Sequence, residues 1–398
     1  MRRSLERLFA SALADLDPRA RVFAALSARP PRLPVRVVAI GKAAPAMASG
    51  AIARWGASIE ACLVVAPDDT EAARLPKRCV VMRAAHPIPD ARSVRAAKAC
   101  LEIVKSRERA QIVALISGGA SSLVCAPAPG VRLGDKQAVT RAMLRSGAEI
   151  RDVNVVRKHL SRIKGGGLAR AAWPNPLLSL VASDVIDGDA ADVGSGPTVV
   201  DPSTVAEARR LLERFAPRFA RLPLAKTLST NDREAEGLRA RVIASPGDLA
   251  EAFARRLRDR GFVVRVLSPS QARADDLARA YVSLAGSLRS RHAIVRAAEP
   301  AIAVPAGARA GGRCTHVASL VARGLDEGVV FAAFASDGVD GASGTSGAVV
   351  DASVAGDALD DAIARFATGP FHLARGTAMP ARPTGHNLAD LHVILRVR

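Results

Sequence analysis

The chain has 398 residues, of which 49% are hydrophobic and 3% aromatic, and its formal net charge is +19 at pH 7. This length exceeds one ordinary core and predicts two or three globular units with interiors of small aliphatic side chains. The arginines are spread along predicted helices, without a long basic run and without interleaved aromatic residues. Proteins that bind nucleic acid typically have clustered basic residues or aromatic residues interleaved with them, and this sequence has neither pattern. The positive charge therefore does not predict nucleic-acid binding here.

The composition predicts a soluble, cytoplasmic protein. Residues 1–18 are typical of an amphipathic helix interrupted by acidic residues, not of a signal peptide. No run approaches the roughly 18 apolar residues of a membrane span. The five cysteines form no CxxC pair and no metal-ligand spacing, which indicates buried thiols in a reducing compartment. They are Cys62, Cys79, Cys100, Cys125 and Cys314.

The first half of the chain alternates short apolar strands with helices. Strands are predicted at 31–41, 62–67, 79–85, 110–119 and 176–185, and helices at 43–55, 93–106, 203–215 and over much of 133–170. This β-α-β rhythm predicts a mainly parallel sheet with helices on both faces. Ligands of such sheets bind beyond the carboxyl ends of the strands.

A second α/β domain is predicted after residues 216–240, a polar, arginine- and proline-rich segment that we interpret as a linker. It begins with a strand-helix-strand unit at 241–268 and continues with a helix near 314–324 and a strand at 329–338. Residues 384–398 predict a turn followed by a last strand or a short helix.

Lysines are rare, with eight against 49 arginines, so Lys42, Lys158 and Lys164 stand out as places where a compact point charge is used. Lys42 follows a predicted strand where the chain turns into a helix, a position at which it could hold a phosphate or carboxylate. A solvated loop lysine is an equally good interpretation. The GxxxxGK[ST] spacing of a P-loop is absent.

Two further segments could bind anions. In SGGASS (117–122), Gly118 and Gly119 allow close backbone approach, while Ser117, Ser121 and Ser122 supply hydroxyl groups; a tight structural turn explains the glycines equally well. In VRKHLSRIKGGGLA (156–169), a continuous helix would place Arg157, Ser161 and Lys164 on one face, where they could clamp a carboxylate. A solvated charged face ended by a glycine cap is the alternative.

Carboxylates follow a strand at 183–198, where Asp184 is nearest the strand end and could accept a hydroxyl proton or hold Mg²⁺. Asp187, Asp189 and Asp192 fit turn-forming roles as well, although Asp189 is a second candidate for Mg²⁺. In the second domain, Arg313 and the pair Asp337 and Asp340 repeat the pattern of charge beside glycine.

The order of these motifs resembles the glycerate 2-kinases of the MOFRL type, some of which are named hydroxypyruvate reductase. The resemblance runs nearly end to end through AIGKAAPAM (39–47), HPIPDARSV (86–94), the segments described above, GGR (311–313), SDGVDG (336–341) and PTGHNLADL (383–391).

The resemblance implies two three-layer α/β/α domains, residues 1–225 with a Rossmann-like parallel sheet and residues 226–398 with a mixed sheet, and an active site in the cleft between them. It implies ATP- and Mg²⁺-dependent phosphorylation of the 2-hydroxyl of D-glycerate, small-molecule partners only, and is compatible with a homodimer. Lys42 would stabilise the transferred phosphoryl group, Asp184 would orient or deprotonate the hydroxyl, and Arg313 would bind anionic oxygen. The segment 117–122, Arg157, Lys158, Lys164, Asp337 and Asp340 would bind substrate and nucleotide.

Departures from the family pattern keep two alternatives open. Cys314 replaces an asparagine, His386 a threonine, and Ala297 and Ala298 replace glycines before Glu299. These changes allow a homologue of low activity, a regulatory protein, or an enzyme for another hydroxy acid. The family's reductase label suggests NAD(P)H-dependent reduction of hydroxypyruvate, but the G-x-G-x-x-G fingerprint of a nicotinamide site is absent.

Overall fold

The structure is a computed structural model that describes residues 1–68, 70, 75–105, 108–186, 188–305, 307–308 and 310–397. Its residues form two compact units. We call Pro18–Ser183 with Gly188–Ile243 the N-terminal unit, and Met1–Asp17 with Asp184–Asp187 and Ala244–Arg398 the C-terminal unit. This grouping differs from a single division at residue 225, because the first helix belongs with the C-terminal residues.

The strands are β1 (Val35–Ile40), β2 (Ile59–Pro67), β3 (Cys79–Ala84), β4 (Gln111–Ser117), β5 (Leu177–Ala182), β6 (Arg239–Ala244), β7 (Val263–Val266), β8 (His292–Ala298), β9 (Val329–Ala335), β10 (Thr345–Asp351), β11 (Ala378–Pro380) and β12 (Asp390–Arg396). The α-helices are α1 (Arg2–Ala14), α2 (Pro18–Ala25), α3 (Ala44–Trp55), α4 (Ala91–Val104), α5 (Ala120–Leu123), α6 (Leu133–Arg145), α7 (Ile150–His159), α8 (Gly167–Ala172), α9 (Val205–Phe215), α10 (Pro246–Arg258), α11 (Ala274–Gly286), α12 (Arg313–Ala322), α13 (Asp357–Ala364) and α14 (Thr368–Arg375).

The N-terminal unit is built on a sheet with the strand order β3-β2-β1-β4-β5-β6. The pairings from β3 through β5 are all parallel, which confirms the predicted parallel sheet. β1 and β4 are buried almost throughout, as expected for apolar strands covered on both faces. Strand order reverses between β1 and β4, and ligands of such sheets bind at the carboxyl ends of the strands at this switch point.

The C-terminal unit contains a mixed sheet with the order β11-β10-β9-β12-β8-β7. β7 pairs with β8 in parallel, whereas β12 is antiparallel to both β8 and β9. Phe331 and Phe334 of β9 are fully buried in its core. Phe9 of α1 stacks on Phe334 with ring centroids 4.6 Å apart, so aromatic packing attaches the first helix to this unit.

Two predicted elements differ from the structure. The predicted helical stretch 133–170 is divided into α6, α7 and α8, and the interpretation of 157–164 as one helix face was wrong because α7 ends at His159. The segment 216–240, which we interpreted as a linker, is part of the N-terminal unit. The Ala225 N–H donates to the His159 carbonyl (2.7 Å) and the Leu228 N–H to the Gly165 carbonyl (2.8 Å).

All five cysteines are buried with free thiols. Among the residues that the structure describes, no helix has both the length and the apolar character required to cross a bilayer.

Candidate functional site

Lys42 and the glycine-serine loop lie at the switch point of the N-terminal sheet. Lys42 follows β1 and the loop follows β4, which are neighbouring parallel strands. The Lys42 N–H donates to the Gly118 carbonyl (2.9 Å), and the Ala43 N–H donates to Ser117 Oγ (3.1 Å). Backbone bonds therefore hold the half-buried Lys42 beside the loop that the sequence predicted as a ligand cradle.

Gly119 has a φ of +85°, a left-handed conformation that a side chain would strain. A Cβ built there would lie 3.1 Å from His86 Cδ2 and 3.5 Å from Lys42 Cγ. His86 therefore joins Lys42 at this loop. Sequence analysis did not single it out as a site residue, although the motif HPIPDARSV that contains it was part of the family resemblance.

Ser121 is the centre of a group of cationic side chains. Arg157 Nη2 donates to its hydroxyl oxygen (2.8 Å), and Lys164 Nζ donates to the same oxygen (2.7 Å) and to the Ser121 carbonyl (2.6 Å). Ser195 Oγ lies 3.1 Å from Ser121 Oγ. The structure thus brings Arg157 and Lys164 together on Ser121 through a turn after α7, and not on the helix face that was predicted to include Ser161.

Lys136 is a buried cation that sequence analysis missed. Its ammonium group donates to the Leu160 carbonyl (2.8 Å) and approaches the Arg157 carbonyl (3.4 Å) at the C-terminal end of α7. Burial lowers its pKa to about 8, a shift to which Arg157 adds and which Cys125 opposes. Burial also lowers the pKa of Lys164 far below its ordinary value, and Arg157 and Lys136 add to this shift.

Lys158 and Ser122 are engaged by the protein itself. Lys158 Nζ lies 3.0 Å from Asp201 Oδ1 in an ion pair that is nearly closed to solvent. The Ser122 hydroxyl donates to the Gly119 carbonyl (3.1 Å). Although burial raises the pKa of Asp201, the bonds from Ser203 and Lys158 outweigh it and keep that pKa low. Their positions favour structural roles for Lys158 and Ser122, in contrast to the expected ligand binding.

The C-terminal unit holds a cavity of about 200 Å³, and five of its twelve lining residues are carboxylates. Arg313, the first residue of α12, lies in it with Nη1 2.7 Å from Glu299 Oε1 and Nε 3.3 Å from Asp390 Oδ2. Burial raises the pKa of Asp390 to about 7; Arg313 lowers it, and the neighbouring carboxylates raise it. Burial lowers the pKa of Arg313, but Asp390 and Glu299 outweigh this effect and raise it.

Asp340 lines the same cavity but is committed to the start of α12. Its carboxylate accepts hydrogen bonds from the Cys314 N–H (2.8 Å), the Thr315 N–H (2.9 Å) and the Thr315 hydroxyl (2.8 Å). A carboxylate at this position satisfies backbone donors that a helix leaves free at its first turn. The structure therefore favours an anchoring role for Asp340, which places Arg313, over the expected direct contact with a ligand.

Asp184 and Asp337 are the carboxylates of this cavity best suited to a ligand. Asp184 Oδ2 accepts a hydrogen bond from Asn387 Nδ2 (2.7 Å), and Asp337 is half-buried at the end of β9. Asp189 is exposed, and its side chain accepts a bond from the Ala191 N–H (2.6 Å), as in a turn. Asp187 lies outside the described residues.

The acidic cavity suits a hard divalent cation. Carboxylates outnumber Arg313, its one basic lining residue, by several to one. The described residues contain no group of three or more His, Cys, Asp or Glu side chains arranged as a metal cage. Mg²⁺ prefers oxygen ligands and is usually held by one or two carboxylates, water and substrate phosphates.

Comparison with known proteins gives consistent matches over both units. Residues 4–225 match the family model described as "Domain of unknown function (DUF4147)", and residues 292–390 match the MOFRL family. A protein of Agrobacterium vitis named "Putative hydroxypyruvate reductase" is 34% identical, over 99% of this chain and 94% of its own. The D-glycerate 2-kinase of Thermotoga maritima is 29% identical, over 91% of each chain.

The crystal structure of a glycerate kinase from Thermotoga maritima superimposes with a TM-score of 0.86 at 27% identity, covering 99% of this chain and 100% of that one.

Proposed function

Since the chain belongs to the MOFRL-type glycerate kinase family with a DUF4147 domain, we propose that it is a kinase that transfers the γ-phosphoryl group of ATP to the 2-hydroxyl of D-glycerate. The observation that carries the proposal is the position of Lys42 beside the Gly118–Gly119 loop at the switch point of a parallel sheet. The name of the Thermotoga maritima relative, a D-glycerate 2-kinase that matches nearly end to end, supports the choice of the 2-hydroxyl.

Lys42 is assigned to the phosphoryl group. Phosphoryl transfer depends mostly on positioning and on neutralising charge around the moving group. The Lys42 side chain lies against Gly119, beside the loop that follows β4. Its ammonium group would therefore stabilise negative charge that grows on the phosphoryl oxygens during transfer.

Asp184 is assigned to the acceptor hydroxyl. Its carboxylate is oriented by the Asn387 amide and lies in the acidic cavity. A carboxylate held in this way can accept the proton that leaves the hydroxyl as the phosphoryl group arrives. Asn387 would act as the residue that positions this base.

Arg313 is assigned to an anionic oxygen of the substrate or nucleotide. Glu299 and Asp390 orient its guanidinium, and Asp340 fixes the helix turn that carries it. A preorganised donor of this kind needs no rearrangement when charge develops.

Mg²⁺ would be held by Asp184 and Asp337 and would supply positive charge to the nucleotide phosphates when bound. The glycine-serine loop, Arg157 and Lys164 are assigned to substrate and nucleotide binding.

The test is an assay of the purified chain with ATP, Mg²⁺ and D-glycerate that measures ADP formation. Coupling of the product's phosphorus to its protons in ³¹P NMR identifies the phosphorylated carbon. We expect ADP formation that requires glycerate, and a loss of about 100- to 1,000-fold in kcat for Lys42→Ala and for Asp184→Asn. Lys98→Ala, an exposed substitution on α4, is the matched control and should retain full activity.

The reductase name of the Agrobacterium vitis relative makes a second arm necessary. The same preparations are given hydroxypyruvate with NADH or NADPH. Nicotinamide oxidation without glycerate-dependent ADP formation would overturn the kinase proposal. Silence in both arms would move the function to another hydroxy acid or to a regulatory homologue.

A further inference from the structure

Two free thiols lie side by side at the edge of the N-terminal sheet. Cys79 is the first residue of β3, the outermost strand, and it pairs in register with Cys62 of β2. Both thiols are buried, at 9% and 2% exposure respectively. Lys42 and the loop at 117–122 follow the carboxyl ends of β1 and β4, whereas Cys79 begins its strand. Because these strands are parallel, the thiol pair is not part of the candidate site.

The register places the two side chains within reach of a covalent bond. Residues that are paired in neighbouring parallel strands point to the same face of the sheet, and the strands lie about 4.8 Å apart. The Cα atoms of a disulfide are usually about 4.4–6.8 Å apart. In the fold, the thiols of Cys62 and Cys79 already interact as hydrogen-bond partners. The pairing of β2 with β3 therefore holds them at a separation that a disulfide can span.

The two thiols differ in how easily a reagent reaches them. Cys79 is the more exposed of the pair, and the exposed Val80 and Val81 follow it along the edge strand. Burial raises the pKa of the Cys62 thiol, and Cys79 adds to this shift while Arg78 opposes it. Since the thiolate is the nucleophile in disulfide exchange, Cys62 is the poorer first attacker. Cys79 is therefore expected to react first, and Cys62 second.

We propose that Cys62 and Cys79 form a reversible disulfide in the folded chain, which fastens the edge strand β3 to β2. The oxidant is a low-molecular-weight disulfide. The Cys79 thiolate attacks one sulfur atom of the oxidant, whose S–S bond breaks and releases one small thiolate. Cys62 gives its proton to the buffer and attacks Cys79 Sγ, which releases the second small thiolate. Two protein thiols are thereby oxidised, and one small disulfide is reduced to two thiols. The proposal does not depend on the reaction that the protein catalyses.

The remaining cysteines are internal controls. Cys100 lies on α4, Cys125 follows α5 and Cys314 lies on α12, and each is at most 1% exposed. If oxidation required the chain to unfold, these three thiols would react together with the proposed pair. A reaction of the folded chain leaves all three reduced, because only Cys62 and Cys79 combine an in-register neighbour with a position at the sheet edge.

Peptide mapping detects the bond directly. The purified chain is incubated without denaturant in glutathione buffers of rising disulfide content, quenched with acid, and its free thiols are then blocked with iodoacetamide under denaturing conditions. Trypsin separates the two cysteines into the peptides 55–74 and 79–83. We expect mass spectrometry to show these peptides linked, with the blocked thiols falling from five to three. An excess of reduced glutathione should restore all five.

Three variants separate the roles of the thiols. Cys62→Ala removes the second attacker and should trap one glutathione on Cys79. Cys79→Ala removes the first attacker and should leave Cys62 reduced. Cys100→Ala is the matched control, since it removes a buried thiol outside the pair, and it should still give the linked peptides.

Hydrogen exchange tests whether the bond fastens the strand. An edge strand is held by a single neighbour, so a covalent link should slow the exchange of the β3 amides by about tenfold or more. Cys79→Ala should show no change between the same two buffers. The proposal is overturned if the linked peptides do not form or if Cys100, Cys125 or Cys314 appears in the linked peptides. A lasting glutathione adduct in the wild type, or unchanged β3 exchange in the linked chain, would overturn it as well.

Discussion

Replacing Asp340 by asparagine separates an anchoring role from a ligand-binding role. The Asp340 carboxylate accepts three hydrogen bonds of 2.8 to 2.9 Å at the start of α12, and the side chain is 3% exposed. Asparagine keeps one oxygen, so its amide nitrogen must face a backbone N–H or the Thr315 hydroxyl. A buried donor left without an acceptor costs about 1–3 kcal/mol, and loss of a helix N-cap costs about 0.5–2 kcal/mol.

Part of this cost is offset, because burial raises the pKa of Asp340 and the substitution relieves the desolvation of its charge. We therefore expect Asp340→Asn to lower the free energy of unfolding by about 2 kcal/mol, which is the lost hydrogen bonding less the relief of desolvation. For a unit of about 150–250 residues, this corresponds to a fall of about 4–8 °C in the unfolding midpoint. Because α12 begins with Arg313, kcat should fall as well.

The assay is thermal unfolding followed by fluorescence, with steady-state kinetics on the same preparation. Asp337→Asn is the matched comparison, since Asp337 lines the same cavity and accepts one backbone bond, from the Val339 N–H (3.0 Å). It should lose activity with a smaller change in midpoint. If Asp340→Asn unfolds at the wild-type temperature while the KM for a substrate rises tenfold, the anchoring argument is refuted and Asp340 binds ligand directly.

Two further predictions concern buried charges. Asp201→Asn should lower the free energy of unfolding by about 3–5 kcal/mol, because it leaves the Lys158 charge buried without a partner. Since the pKa of Asp201 is lowered in the fold, the stability that this pair contributes is present above the carboxyl's ordinary pKa and is lost as the pH falls through the folded value. Urea unfolding of the wild type and of the variant between pH 3 and pH 7 measures this difference. Cys314→Asn should move the acid limb of the pH profile of kcat/KM to lower pH. The group concerned is Asp390, whose pKa is about 7. An amide N–H stabilises its ionised carboxylate better than the neutral Cys314 thiol does. An unmoved limb would exclude Asp390 as the titrating group.

The sequence predicted the parallel sheet because its strands are short apolar runs separated by amphipathic helices, a pattern that few other folds produce. It did not predict β10 and β11, since Thr345–Asp351 contains a glycine and β11 has three residues. β10 is defined by its pairing with β9, and β11 by its pairing with β10; local periodicity does not contain such long-range contacts.

The sequence predicted the candidate site only in part, because local patterns indicate the ends of strands but not contacts between distant residues. Lys42 and the loop at 117–122 were found because each directly follows a strand, and topology brings the ends of parallel strands together. The roles of Lys158 and Asp340 depend on partners far along the chain, namely Asp201 and the start of α12. No local pattern indicates whether a charged side chain faces a partner or a ligand.

Lys136 is the instructive omission, because the argument that identified other lysines applies to it equally. The buried lysines of the chain are Lys136, Lys158 and Lys164, Lys42 is half-buried, and the remaining four are exposed. A lysine can release its proton when burial makes the charge costly, whereas arginine stays charged throughout the accessible pH range. A chain whose basic residues are otherwise arginines thus has lysine where burial makes a permanent charge costly, and has Arg157 where a rigid fork can bind both Ser121 and Asn154. Lysine scarcity is therefore a better guide to buried cations in this sequence than the charge pattern around each residue.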